Sequence, residues 1–184
     1  QFLADELSRL GCAETPTPVL PMPLDLDVQP APTRSPSLVC VARPTDRKGI
    51  DRAIGIASAT GRHLDLVGPS EGPTGTCAHG TLSRADTMAV IARASAIVLT
   101  PRTTPNGLGG EGLGLCVLEA AARGVPAIGC ATGGVPEAIG PGLILSDPDA
   151  PDGDQINAWL NRSPQGVHAR NWLHQHHGPA HSLA

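Results

Sequence analysis

The chain has 184 residues, room for one ordinary domain or for one domain with a linker. Apolar residues make up 40% of it and aromatics only 2%, so a core must be built from Leu, Ile, Val and Ala. The net charge of −4 argues against a nucleic-acid or anionic-membrane binder driven by bulk electrostatics. No run of 18 apolar residues and no basic leader occurs, so neither a membrane span nor a signal peptide is expected. The five cysteines (Cys12, Cys40, Cys77, Cys116, Cys130) are odd in number and form no C-x-x-C, which reads as reduced thiols in a cytoplasmic protein.

Taken in chain order, Phe2–Leu10 has the spacing of a short amphipathic helix, with Leu3, Leu7 and Leu10 on one face. Prolines 16, 18, 21, 23, 30, 32 and 36 follow, a density that favours extended linker backbone. From Ser37 a regular alternation begins. Short apolar runs predict strands at Leu38–Ala42, Leu64–Val67, Ala96–Thr100, Pro126–Cys130 and Leu143–Leu145, with Thr76–His79 a weaker one. Helical patterns lie between them at Ile50–Ala59, Arg84–Ala94, Leu115–Arg123 and Pro136–Ile139. Beyond Asp147, helices are expected at Gln155–Leu160 and Gln165–Gln175, followed by a frayed end. The expected architecture is α/β: a Rossmann-like, mostly parallel sheet with helices on both faces. The boundaries are 1–37 for a preceding helix with linker and 38–184 for the α/β domain.

Ligands of open parallel sheets bind beyond the carboxyl ends of the strands. Glycines and charges gather after each expected strand: Arg43 to Gly49, Gly68 to Gly72, Gly80 to Ser83, the loop around Glu111, and Ala131 to Gly134. The loop after Thr100 packs five glycines between Pro105 and Gly114 around Glu111, then feeds a helix that carries Glu119. Glycine backbone can approach an anion closely, and a helix N-terminus adds partial positive charge. Lys48, the only lysine of the chain, sits near a helix start where a cation opposes the dipole, so an anion such as a phosphate is expected beside it. Glu119 lies among Val117, Leu118 and Ala120 to Ala122, so its carboxylate needs a donor, which ligand hydroxyls would supply.

Other motifs fail. Gly112-Leu-Gly114-Leu-Cys-Val117 lacks the third glycine of a dinucleotide fingerprint, and neither a P-loop nor G-x-S-x-G is present. The histidines 168, 174, 176, 177 and 181 read as a solvated tail rather than a metal site.

These residues resemble the C-terminal, donor-binding domain of GT-B retaining glycosyltransferases of family 4, the glycosyl transferases group 1. The resemblance runs from about Leu38 to Asp149. It is carried by Glu111-x7-Glu119 within EGLGLCVLEAAARGVPAIGCATGGVPEAIG, by VCVARPTDRKGIDRAI, by LDLVG and by HGTLSRADTMAVIARAS. The stretch PRTTPNGLGGEGLGL is similar to the longer loop of phosphatidylinositol mannosyltransferases. Ala42-Arg43-Pro44 stands where the family more often has Gly-Arg-Leu, and the segment from Gly68 to His79 is shorter than usual, so an element there is expected to be trimmed.

The resemblance implies a nucleoside-diphosphate sugar as donor substrate, with no cofactor and no metal. Arg43 and Lys48 would bind the diphosphate and stabilise the leaving group, and Glu111 would hold hydroxyls of the transferred sugar. The amides of Gly112, Leu113, Gly114 and Leu115 would cover sugar and diphosphate. Glu119 would take the ribose hydroxyls, and Gly80 and Leu82 would line the base through backbone groups. The glycosyl group would pass to an acceptor with retained configuration by front-face attack. The acceptor-binding N-terminal domain would be the missing partner, residues 1–37 resembling its last helix and connector. Any membrane contact would come through that half, nucleic acid is no partner, and this chain alone would bind nucleotide with little transfer. Two rival expectations are a non-catalytic nucleotide-sugar-binding module and, less well matched, a UDP-sugar epimerase of similar shape.

Overall fold

The computed structural model describes residues 2–11, 24, 34–103, 110–162 and 165–177. Helix α1 (Phe2–Arg9) precedes a six-stranded sheet of β1 (Leu38–Val41), β2 (Leu64–Val67), β3 (Thr76–Gly80), β4 (Ala96–Leu99), β5 (Ala127–Cys130) and β6 (Leu143–Leu145). The other helices are α2 (Ile50–Thr60), α3 (Arg84–Arg93), α4 (Leu115–Ala122), α5 (Val135–Ile139), α6 (Gly153–Leu160) and α7 (Gln165–His177). Every described strand pairing is parallel, and the order is β3-β2-β1-β4-β5-β6. The expected mostly parallel sheet is therefore wholly parallel here. No helix among the described residues is long and apolar enough to cross a membrane.

Burial explains why such short runs are strands. β4 and β5 are buried at every residue, as parallel strands covered on both faces must be. One face buries Leu38, Leu64, Leu66 and Val98 against Ile56 of α2 and Ile156 of α6. The other buries Val39, Ile97 and Leu99 against Ile91 of α3, Val117 of α4 and Val135 of α5. Leu173 of α7 packs on Leu118 of α4. The core is aliphatic, as composition demanded. Between β2 and β3, from Gly68 to Gly75, there is no helix. α6 starts two residues before Gln155 because the Asp152 side chain caps it, accepting from Gln155 N at 3.0 Å. The expected frayed end (178–184) and most of the proline-rich linker lie outside the described residues.

The strand order reverses between β1 and β4, so their exits diverge and leave a crevice. What lines that crevice is held by two local devices. The first is Gly49, which has φ +63° and caps the N-terminus of α2. A Cβ there would lie 1.9 Å from the carbonyl oxygen of Thr100, so the turn after β1 touches the exit of β4 backbone to backbone. The second is a guanidinium clamp. Arg102 donates to both carboxylate oxygens of Asp51 at 2.6 Å, and its backbone N donates to Arg47 O at 2.9 Å. Arg52 grips Asp149 at 2.8 and 2.6 Å and donates to Pro101 O at 3.0 Å. Paired donors of this kind fix orientation as well as distance.

Gly49→Ala should cost about 2–5 kcal/mol, the sum of a left-handed backbone and an overlap with backbone. Gly61→Ala, with φ +66° but nothing within 4 Å of the added methyl, should cost only about 1–2 kcal/mol. Urea denaturation of both variants checks this; equal losses would show that the contact with Thr100 is not a constraint.

Hydrogen bonds from Arg102 and Arg52 hold Asp51 and Asp149, respectively, below the ordinary carboxylate value of 3.8. A depressed carboxylate contributes stability that is present above its unfolded value and is lost as pH falls through its folded one. Arg102→Gln should therefore flatten the loss of stability between about pH 5 and about pH 2. Denaturation midpoints across that range test it, and parallel curves for parent and variant would remove the clamp from the account.

Candidate functional site

The crevice at the β1/β4 reversal is a cavity of about 390 Å³. Arg43, Lys48, Leu82, Glu111, Gly114 and Leu115 line it, six of the ten residues singled out from sequence. Arg43 is exposed just after β1, and Lys48 ends a 3-10 turn (Asp46–Lys48) that leads into α2. Arg43 and Lys48 also line an adjoining cavity of about 340 Å³ with Thr45, Arg47, Pro101 and Gly110. The two cations therefore sit between two hollows on the same rim. The molecule's larger cleft, about 580 Å³, opens at the opposite rim beside Pro126 and Ser95 and includes none of the ten.

Lys48 Nζ donates to Glu111 Oε2 at 2.6 Å, with the side chains 28% and 18% exposed. Sequence reading expected an anion beside Lys48 and took it for phosphate; the anion present is Glu111. The Glu111 loop is pinned in turn, since Gly134 N donates to Glu111 O at 2.7 Å. Gly114, at φ +64°, caps α4, and a Cβ there would meet the Leu99 side chain at 2.8 Å. That close approach brings the helix N-terminus, a source of partial positive charge, against the exit of β4. Leu115, the first residue of α4, stays exposed on the rim, whereas the Leu113 side chain packs into the α4–α7 core.

Glu119 was expected to meet ligand hydroxyls; in this structure its carboxylate has a protein partner, Arg84 Nη1, which approaches Glu119 Oε1 at 2.6 Å. Arg84 is the first residue of α3, where a cation opposes the helix dipole. The argument that singled out Lys48 from sequence applies equally to Arg84 and would have found it. Glu119, Gly80, Gly112 and Leu113 do not line the cavity. Gly80 closes β3 through Gly68 N to Gly80 O at 2.8 Å and Gly80 N to Pro69 O at 2.7 Å, which sets the path to Leu82.

Gly68, read from sequence as the residue after a strand, also lines the cavity; Val41, Ala42, Val67, Thr81, Thr87, Leu99 and Cys116 complete the lining and were not singled out. Burial, then the charges of Glu111 and Glu119, push the Cys116 thiol up to about 12, so it stays protonated at neutral pH. The walls are thus apolar and the charges few and convergent, the pattern of a small-molecule site. The histidine-bearing tail forms no metal cluster among the described residues; Trp172 stacks on His176 instead.

The family model for "Glycosyl transferases group 1" matches residues 70–164, about half of the chain. A curated relative from Corynebacterium glutamicum, the GDP-mannose-dependent monoacylated alpha-(1-6)-phosphatidylinositol monomannoside mannosyltransferase, is 40% identical over 72 residues, covering 38% of this chain and 19% of that protein. Among solved structures, AviGT4, a glycosyltransferase involved in avilamycin A biosynthesis, superposes with a TM-score of 0.76 at 21% identity, over 92% of this chain and 55% of that one. TarM of S. aureus, solved with fondaparinux, alpha-GlcNAc-glycerol and UDP, gives 0.74 at 16% identity over 95% of this chain and 39% of that one. The chain thus spans about half or less of the length of the structures it matches. Its sheet and helices have the Rossmann-like fold of these GT-B glycosyltransferases, and the chain belongs to the glycosyl transferases group 1 family.

Proposed function

We propose that this domain is the donor-binding half of a retaining glycosyltransferase and that it holds a nucleoside-diphosphate sugar at the β1/β4 crevice. One observation carries the reading. Arg43 and Lys48 from the β1 exit, and Glu111 with the α4 N-terminus from the β4 exit, converge on one cavity of about 390 Å³. The cations and the helix end suit a diphosphate, and the acid suits sugar hydroxyls.

In this reading Arg43 and Lys48 grip the diphosphate and stabilise the charge that develops on it as the bond to the sugar's anomeric carbon breaks. An ammonium has three donors, so Lys48 can keep Glu111 while it binds a phosphate oxygen. The acceptor oxygen bonds the anomeric carbon from the face the diphosphate leaves, and the departing phosphate takes the acceptor proton. The two cations serve where other enzymes use a divalent ion. The main-chain N–H groups of Gly112, Leu113, Gly114 and Leu115 cover the diphosphate and sugar, while Gly80 and Leu82 border the base. Glu119 receives the ribose hydroxyls in exchange for Arg84. The Arg84 side chain is 77% exposed and returns to water, while the Glu119 side chain, 13% exposed, exchanges one donor for another. The C. glutamicum relative is named for GDP-mannose, which makes GDP-mannose the first donor to try. Acceptor groups belong to a second, N-terminal half, residues 1–37 being a remnant of it with the linker, and the chain by itself binds donor without appreciable transfer.

Thermal shifts with UDP, GDP, ADP and dTDP and their sugars test the reading; no response to any nucleoside diphosphate would overturn it. Lys48→Ala should weaken diphosphate binding by roughly 1.5–3 kcal/mol, about 10- to 100-fold, the worth of one charge-assisted contact. Calorimetry that finds unchanged affinity would take Lys48 out of the site. Glu119→Gln should narrow the preference of the chain for ribose over deoxyribose nucleotides; a parent chain that shows no such preference would count against Glu119 as the ribose contact.

A further inference from the structure

On the free edge of the sheet, Asp65, Cys77 and His79 bring a carboxylate oxygen, a thiol sulfur and a ring nitrogen within 4.8 Å of one another. Backbone register explains the meeting. Asp65 of β2 stands opposite Cys77 of β3, so their side chains leave the same face of the sheet. Register then slips: Leu66 pairs with Ala78 but Val67 pairs with Gly80, leaving His79 as the extra residue of a bulge. Bulges in parallel pairs are rare and re-aim a side chain. Here the imidazole is turned onto Asp65, with Nε2 at 2.8 Å from Oδ1.

We propose that Asp65, Cys77 and His79 bind one divalent metal ion of the Zn²⁺ class, a site separate from the donor crevice and independent of the function proposed for it. Sulfur, nitrogen and oxygen together select a borderline-soft ion over Mg²⁺ or Ca²⁺, which take oxygen ligands. Bonds of roughly 2.0–2.3 Å in a tetrahedral shell hold ligand atoms somewhat under 4 Å apart, so the thiol draws inward and the His79–Asp65 hydrogen bond opens as the ion enters. Cys77 is exposed and both partners are half-buried, which leaves an entry path and a fourth position for water. Cys77 binds as the thiolate, so its proton is released to solvent as the ion enters. The ion would tie the edge strand β3 to β2. Beyond β3 the chain runs through Gly80 to Leu82 at the crevice, so the metal stiffens a strand that leads to the site without touching the reacting groups.

Titration of Co²⁺ into the reduced chain tests this, followed by competition with Zn²⁺. One equivalent should develop a thiolate-to-cobalt charge-transfer band with the intense visible bands of four-coordinate Co²⁺. Cys77→Ser should abolish the charge-transfer band and weaken Zn²⁺ competition by at least the roughly 10- to 100-fold that losing a mere supporting partner costs. Because Cys77 is exposed, the variant should keep the far-ultraviolet circular dichroism of the parent. His79→Gln should weaken binding to the same degree. Co²⁺ uptake without a thiolate band would point to the tail histidines and overturn the proposal. So would a band that survives Cys77→Ser, or parent affinity in His79→Gln.

Discussion

The contact between Lys48 and Glu111 joins the two sides of the β1/β4 reversal, and the crevice depends on it. The two residues stand 63 positions apart in sequence, and each hangs from a loop that diverges from the other because the strand order changes there. A half-buried pair of this sort sits between two regimes. Fully exposed, it would contribute about 0–1 kcal/mol; fully buried, desolvation would offset most of its attraction. At intermediate exposure each charge neutralises the other while both keep a face toward the cavity. That state suits a site which must be stable empty and charged when filled.

The pair is only as well placed as the backbone beneath it. Lys48 ends a 3-10 turn whose carbonyls accept from Arg102, at Arg47 O from the backbone and at Asp46 O from the side chain. The next residue, Gly49, lies against Thr100, and the Thr100 hydroxyl donates to Gly49 O at 3.3 Å. The exit of β4 thus positions the turn after β1 before any side chain in the cavity acts. The backbone under the cavity is set before a ligand arrives, which favours affinity through preorganisation.

Most of the fold was legible because parallel strands buried on both faces leave an unmistakable mark: runs such as Ala96–Leu99 and Ala127–Cys130 have no polar residue to mislead. What was not legible depended on partners distant in sequence. Strand order cannot be read from local pattern, so the crevice was inferred only as one edge of a sheet and not as the gap between β1 and β4. Sequence placed Lys48 at a helix start and Glu119 among apolar neighbours, so each needed a partner that the local pattern does not name. It supplied a ligand for both, when Glu111 and Arg84 were the nearer answers. The bulge at His79 was invisible for the same reason: it exists only in the register between β2 and β3. Cys116 read as an ordinary core thiol, and its place on the cavity wall follows from Gly114, whose left-handed cap sets the direction of α4.

The Arg84–Glu119 pair outside the cavity and the Lys48–Glu111 pair on its wall also differ in how readily they yield. Glu119 holds an arginine that is mostly in water, so the cation loses little on release, although the acid itself is 13% exposed and needs a new donor. Glu111 holds a lysine that is less than one-third exposed, and losing it would strand a charge in an apolar-walled cavity. A ligand that competes for both acids should therefore displace Arg84 and leave Lys48 in place, adding to the second pair rather than breaking it. Lysine permits this where a neutral donor would not, because its remaining donors are free to turn toward an anion while the carboxylate keeps one. On that basis the rim's positive character rests with Arg43 and the α4 N-terminus, and it stays close to neutral where Glu111 balances the Lys48 ammonium.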